Sequence, residues 1–303
     1  MVRIAIAGST NTDLVARLPR LPKRGETLIA TSYMQAGGGK GANQAVAARR
    51  MGAQVNFIGA VGPDANGAAT RDFMRSEGID TTHLYEKDVH SGVALIFVEE
   101  GTGENMIAVA SGANYALAPE DIRKAESTIA SADLLLVQME LRPEATLEAV
   151  TIAHRHGKPV IYNPAPAPSP EVFKQLLPFL SYLTPNTHEL EIISGGRKKS
   201  SAIKELLDAG VKGVFVTLGA KGAALHTPGT KELKIDAFPV KAVDTVGAGD
   251  AFNGALAVLI AEGKSLPDAL RGAVAAGAIA VTKQGAQPSM PRREEVERLL
   301  AGR

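Results

Sequence analysis

Short runs of β-branched and other apolar residues recur along the chain at 2–7, 55–61, 134–137, 160–162 and 214–218. Apolar side chains at consecutive positions suit strands covered on both faces, whereas a half-exposed strand would alternate. Between the runs lie helical patterns that close on glycine, the residue that accepts a left-handed C-terminal cap most readily. These are 42–51 before Gly52, 71–77 before Gly78, 144–156 before Gly157 and 202–209 before Gly210. Strand and helix in alternation predict right-handed crossovers and a three-layer α/β architecture, a mainly parallel sheet flanked by helices. The C-terminal third reads as helix over 249–260, 266–283 and 293–300.

Two stretches break the rhythm. Residues 27–35 alternate moderately, and 93–98 and 105–110 read as two strands joined by a glycine-containing turn at 100–104. We read them as a small antiparallel β lid beside the main sheet, built from segments of about 12–36 and 91–111 within one domain spanning 1–303. Alternation places Val93, Leu95 and Phe97 on one face and Ala94, Ile96 and Val98 on the other. A sheet this small cannot bury both faces against itself. Either one face packs on the main domain, or the lid covers substrate with one face and a partner subunit with the other.

Composition narrows the function classes. The 303 residues carry 33 Lys and Arg against 32 Asp and Glu, so a net charge of +1 gives no long-range field for collecting nucleic acid or an anionic membrane surface. There is no cysteine, which excludes disulfides and thiolate metal sites and fits a cytoplasmic location. The first apolar run is too short for a signal h-region or a membrane span.

Several polar clusters sit where strands end or helices begin. In Asp244-Thr-Val-Gly-Ala-Gly-Asp250, small residues permit a tight turn whose N–H groups, with the following helix N-terminus, make an anion hole. Asp250 at the helix mouth can orient an attacking hydroxyl and accept its proton, or simply cap the helix. The loop Gly37-Gly-Gly-Lys-Gly-Ala-Asn43 lets backbone approach a ligand and offers Lys40 and Asn43 as donors; the alternative is a lid hinge with a solvated lysine. It is not a Walker A loop, because no Ser or Thr follows Lys40. Asn11 and Asp13, after the first strand, and Glu140, after the run 134–137, lie where parallel strands present residues to a ligand crevice. Asn186 and Glu189 can cap a helix or organise Mg²⁺ and its waters. His188, lone and in a loop, carries no catalytic constellation.

Taken together, GGGKGANQA, GVALIFV, ENMI, SGAN, QME, NPAPA, TPNTHE, VDTVGAGDAFNGALA and AIAVTKQGAQPSMP, in that order, resemble the ribokinase-like carbohydrate kinases over residues 2–296. The resemblance implies an ATP-dependent kinase acting on the 5-hydroxyl of D-ribose or a related sugar. It makes Asp250 the catalytic base and Gly247, Ala248 and Gly249 the anion hole. Asn11, Asp13, Gly39, Lys40, Asn43 and Glu140 match sugar-contacting positions. Asn186, Thr217, Gly219 and Gly222 match the nucleotide side, and Glu189 matches a Mg²⁺ position reached through water. Asp244, Val246, Ala280, Lys283, Gly285 and Ser289 match a potassium-type site formed mostly by backbone oxygens. Apart from the resemblance, the row of large apolar side chains around Leu95 and Phe97 on the lid predicts a homodimer in which the small sheets of two subunits pack together. Residues 194–201 depart from the family in being shorter and more basic.

Other readings are a kinase for deoxyribose, fructose or a nucleoside such as adenosine, and a sugar-binding or regulatory protein on a kinase scaffold. A nucleoside kinase needs a platform for a base, which Asn11, Asp13 and an aromatic content of 4% do not suggest. An intact Asp250, glycine turn and Glu189 argue against a scaffold that has lost activity.

Overall fold

Each of the five apolar runs becomes a strand of one sheet. The structure, a computed structural model, describes residues 1–102 and 104–302; Gly103, in the expected turn of 100–104, lies outside the described residues. In chain order the strands are β1 (Arg3–Ala7), β2 (Asn11–Leu18), β3 (Ser32–Gly38), β4 (Gln54–Val61), β5 (Asp80–Glu86), β6 (Gly92–Glu99) and β7 (Asn105–Ala110). They continue with β8 (Leu134–Val137), β9 (Val160–Tyr162), β10 (Tyr182–Leu183), β11 (Gly213–Thr217), β12 (Ala223–His226) and β13 (Leu233–Ile235). The main sheet has the order β13-β12-β11-β10-β9-β8-β1-β4-β5. Strands β5 to β11 in that order run parallel, and β12 and β13 add an antiparallel edge.

Alternate residues of the central strands feed two cores. Ile4, Ile6, Leu134, Leu136, Ile161 and Phe215 pack with the helices Lys40–Arg50, Ala248–Ala261 and Leu266–Ala280. Ala5, Ala7, Leu135, Val137, Val160 and Tyr162 face the opposite layer, which includes the helices Pro143–Arg155 and Lys199–Asp208. Both faces are thus covered, as continuous apolar strands require. The four helix-terminating glycines take positive φ, from 65° at Gly157 to 99° at Gly210. The helix expected to reach residue 283 ends at Ala280, where bonding tightens to Thr282 N–H on Ile279 O and Lys283 N–H on Ala280 O.

The second sheet has the order β3-β2-β6-β7. Its outer pairs are antiparallel, and its central pair, β2 with β6, is parallel. Two expectations shift here. The strand expected over 27–35 begins only at Ser32, and Asn11 and Asp13, expected only to follow the first strand, lie within a strand of their own, β2. β2 escaped the pattern because its first three residues, Asn11, Thr12 and Asp13, are polar yet buried. The expected alternation in β6 holds: Ala94 and Ile96 are 5% and 7% exposed, Leu95 and Phe97 45% and 36%. Because Asp13 pairs with Ala94 and Val15 with Ile96, Asp13 points to the same side as the buried pair.

The chain leaves β1 toward β4 and β5, then returns to lay β8 on the other side of β1. That reversal opens a crevice beyond the carboxyl ends of β1 and β8, where α/β sheets hold their ligands. Among the described residues, no helix is long and apolar enough to cross a membrane.

Candidate functional site

The crevice is tied together by Glu140, just beyond β8. Its Oε2 accepts from the Ser9 hydroxyl and, at 3.0 Å, from the Lys40 backbone N–H, so one carboxylate joins the ends of β1 and β8 to the glycine loop. Two glycines of that loop, Gly39 and Gly41, lie against the protein's own backbone. A Cβ on Gly41 would meet Gly8 C and Ser9 N at 2.6 Å, and one on Gly39, whose φ is 86°, would meet Thr10 Cα at 2.7 Å. The helix Lys40–Arg50 therefore starts directly against the turn after β1, and this contact aims Lys40, Asn43 and Gln44 into the crevice.

Asp250, in the first turn of Ala248–Ala261, is only 7% exposed. Asn43 Nδ2 donates to its Oδ2 and Gln44 Nε2 to its Oδ1, each at 2.9 Å. Burial raises its pKa, against the pull of Lys40 and these two amides. Burial also opposes the charge on Lys40, but Asp250, Glu140, Glu189 and Asp13 around it outweigh this and hold its pKa above the ordinary lysine range. Asp13 is pushed up to about 7, first by burial, then by Glu140 and Asp250, with Lys40 opposing. Asn11 sits beside it, its Oδ1 accepting from Asn114 Nδ2 at 2.8 Å. The structure thus gathers Asn11, Asp13, Gly39, Lys40, Asn43, Glu140 and Asp250 in one place, and adds Ser9, Gln44 and Asn114. Asn114 and Gln44 stand inside the SGAN and GGGKGANQA segments, but nothing in their spacing separates them from helix residues of no consequence.

The turn before Asp250 adopts the geometry that its glycines suggest. Gly247 takes φ 78° as the residue preceding the helix, and a Cβ there would meet Met290 Cε at 2.8 Å. At Gly249 nothing lies within 4 Å of a Cβ position, so the first turn faces open space. First-turn N–H groups have no partner within the helix, that of Ala248 making only a long bond to Thr245 O at 3.4 Å, and they carry the positive end of the helix dipole, so the turn can receive an anion.

Asn186 and Glu189 do cap a helix, the shorter one at Thr187–Ile193, in a reciprocal pair at 2.8 Å in each direction. Glu189 is half-buried, its pKa raised by that burial, and its other oxygen is free of this pair. Thr217 forms a parallel bridge to Asn186, bringing β11 alongside, while Gly219 and Gly222 shape the turn into β12 with φ 59° and 85°.

Asp244 spans two loops. Its Oδ1 accepts from Val246 N–H at 3.0 Å and its Oδ2 from Gly285 N–H at 2.9 Å, which leaves lone pairs on both oxygens. Lys283 turns away to pair with Glu295 at 2.7 Å, and the Ser289 hydroxyl donates to Ala286 O at 2.7 Å. From those two residues only backbone oxygens and hydroxyl lone pairs remain for a cation. His188 stands exposed beside Glu191, outside the crevice.

A buried carboxylate in an amide cradle, an open helix N-terminus beside it and a polar crevice at the switch point describe a small-molecule phosphotransferase. The family model for the pfkB family carbohydrate kinases matches residues 1–293. A ribokinase of Haemophilus influenzae is 42% identical over 98% of both chains. A deoxyribokinase of Salmonella typhi is 37% identical over 98% of both. The structure of Arabidopsis thaliana ribokinase complexed with ribose and ATP superposes with a TM-score of 0.88 at 32% identity, covering 99% of each chain. The chain belongs to the pfkB family of carbohydrate kinases.

The buried Asp13 has a measurable consequence. Folded, it holds its proton to about pH 7; unfolded, it releases it near 3.8. Between those values the native state binds more protons, so stability falls as pH rises, by about 1.4 kcal/mol per pH unit at most for one group, and levels off above 7. Asp250 and Glu189, also raised by burial, add in the same direction. Asp13→Asn should flatten this decline and be more stable than the unsubstituted chain at pH 8. Urea unfolding of both proteins at pH 5 and 8, without ligands, checks it, and equal slopes would contradict the placement of Asp13.

Proposed function

We propose that the chain, acting as one catalytic unit, transfers the γ-phosphoryl group of ATP to the 5-hydroxyl of D-ribose. The observation that carries this reading is the Asp250 carboxylate, held by Asn43 and Gln44 at 2.9 Å beside the open first turn of its helix. The sugar lies against Asn11, Asp13, Gly39, Lys40, Asn43 and Glu140, with its acceptor hydroxyl at Asp250. The hydroxyl oxygen bonds to the γ-phosphorus as the bond to the bridging oxygen breaks. ADP leaves and the hydroxyl proton passes to Asp250. N–H groups of Gly247, Ala248 and Gly249 meet the charge on the transferring group. A helix N-terminus weakens a base while burial strengthens it; in a loose transition state, late proton acceptance asks mainly for position.

Asn186, Thr217, Gly219 and Gly222 face the nucleotide, and the exposed edge of Glu189 is the position for Mg²⁺ held through water. Bound there, Mg²⁺ neutralises charge on the phosphates. Asp244 with oxygens of Val246, Ala280, Lys283, Gly285 and Ser289 is the position for K⁺, which fits a carboxylate already bridging two loops. On the lid, Ile107 and Val109 share the face of Ala94, Ile96 and Asp13 through β6–β7 pairing, and with exposures of 52% and 51% they form an apolar ceiling. Deoxyribose is the second reading, supported by the likeness to the deoxyribokinase.

Three results are expected. Asp250→Asn should keep sugar binding by calorimetry and lose about 10²- to 10⁴-fold in turnover. A loss below tenfold removes the base assignment, and equal indifference of the unsubstituted enzyme to ribose, deoxyribose, fructose and adenosine removes the sugar-kinase reading. At fixed ionic strength and saturating Mg²⁺, K⁺ should raise turnover over Na⁺ or a bulky organic cation, and Asp244→Ala should abolish the difference; identical rates in all three salts contradict the K⁺ site. Finally, Tyr33, Leu95, Phe97 and Met106 form an exposed apolar lid face that a second copy would cover. Light scattering should give a dimer that Leu95→Asp with Phe97→Asp dissociates; a monomer at micromolar concentration contradicts it.

A further inference from the structure

Five of the segments that carry the family resemblance each contain a polar residue that meets the others: Gln44, already seen holding Asp250, and Gln138, Asn163, Thr184 and Asn253, which have no part in the scheme above. All are buried, none more than 7% exposed. Far apart in the chain, they meet in one hydrogen-bonded circuit. Gln138 Nε2 donates to Gln44 Oε1 at 2.6 Å; Gln44 Nε2 donates to Asp250 Oδ1 at 2.9 Å and to Asn163 Oδ1 at 3.2 Å. Asn163 Nδ2 donates to Thr184 O at 3.1 Å, the Thr184 hydroxyl to Asn253 Oδ1 at 2.6 Å, and Asn253 Nδ2 to Gly249 O at 2.8 Å. Gly249 precedes Asp250, so the circuit closes on the helix turn where it began.

The direction of these bonds is fixed by their ends. Gln44 cannot exchange its amide oxygen and nitrogen without losing three bonds, and the carboxylate it serves can only accept. Gln138, Asn163 and Thr184 follow β8, β9 and β10, so successive strand ends of the rigid sheet hold the circuit. The ring through Gln44, Asn163, Thr184, Asn253 and Gly249 is closed, and Gln138 joins it from outside by one bond, its own buried Oε1 having no partner; a closed ring of buried amides specifies a single arrangement.

We propose that this circuit is a positioning device for phosphoryl transfer. Gln44, backed by Gln138 and Asn163, fixes the Asp250 carboxylate. Asn253, backed by Thr184, fixes the Gly249 carbonyl, so that proton acceptor and anion-hole turn are held as one unit. None of the five is a catalytic residue; each acts through Asp250 or Gly249. The proposal rests on the kinase reading above.

The test uses Gln44→Met, which keeps the length and removes the donor, and Thr184→Val, which keeps the shape and opens the circuit away from Asp250. Each should lower kcat about ten- to a hundredfold while KM for sugar stays within about threefold, as for supporting groups elsewhere. Lys40, Glu140, Asp13 and Glu189, the charged groups around Asp250, remain in both variants. Gln44→Met should therefore move the acid limb of the kcat profile upward by about one pH unit, through loss of one bond to the charged form. The Asp250 carboxyl, followed by ¹³C NMR, should move with it, a readout that needs no turnover. The double variant should lose little more than the worse single one, because the two act through one unit.

A folded Gln44→Met with unchanged kcat and an unmoved Asp250 titration overturns the proposal, as do two losses that multiply. If Gln44→Met does not fold, Thr184→Val decides alone: a fall in kcat at constant KM supports the circuit, and unchanged kcat overturns it. An unsubstituted chain without turnover would instead remove the kinase reading, and the NMR titration would still decide whether Gln44 governs Asp250.

Discussion

A carboxylate taken out of water has to be answered by donors and positive charge, and much of this structure follows from how Asp250 is answered. Its partners come from the helix Lys40–Arg50, which supplies Asn43 and Gln44 as hydrogen-bond donors and Lys40 as the nearby charge. That helix reaches Asp250 because Gly39 and Gly41 let its first turn settle on the backbone after β1, and Gly254 lets the helix of Asp250 lie close against it. The glycine-rich loop is in this sense part of the frame. Glu140 secures the same junction from β8 by accepting from Ser9 and from the Lys40 backbone.

Three further carboxylates, Asp13, Glu140 and Glu189, surround one lysine, so the crevice holds more negative charge than its burial favours. Burial first, and the neighbouring carboxylates after it, make Asp13 and Asp250 keep their protons more tightly. A polyhydroxylated ligand that brings donors relieves this, which is a physical reason for a sugar in this crevice. The lid contributes the complementary surface: one side of β2 and β6 carries Asp13 with Ala94 and Ile96, polar at its root and apolar beyond.

Much of the fold was legible in the sequence because both-face burial leaves a strong signal. The five apolar runs of the main sheet and the glycine stops after four helices are where the pattern put them. Strand β2 was not legible: its buried Asn11, Thr12 and Asp13 look like a loop when burial cannot be seen. β10 is two residues long, and β12 and β13 are short edge strands with little periodicity. In the site, glycine turns and acidic residues beside strand ends were readable from local chemistry. Gln44, Asn114, Asn163 and Asn253 were not, since a buried amide is defined by partners as much as two hundred residues away.

In the proposed reaction the crevice presents one hydroxyl of a pentose to Asp250, a geometry with a chemical signature. Its most direct measurement is the structure of the product formed from ribose, ATP and Mg²⁺ in potassium buffer, read by ³¹P NMR with coupling to the sugar protons. Phosphorus coupled to the two methylene protons at C5 is the predicted result. Phosphorus coupled to the anomeric proton, or ADP released with no phosphorylated sugar, would contradict it.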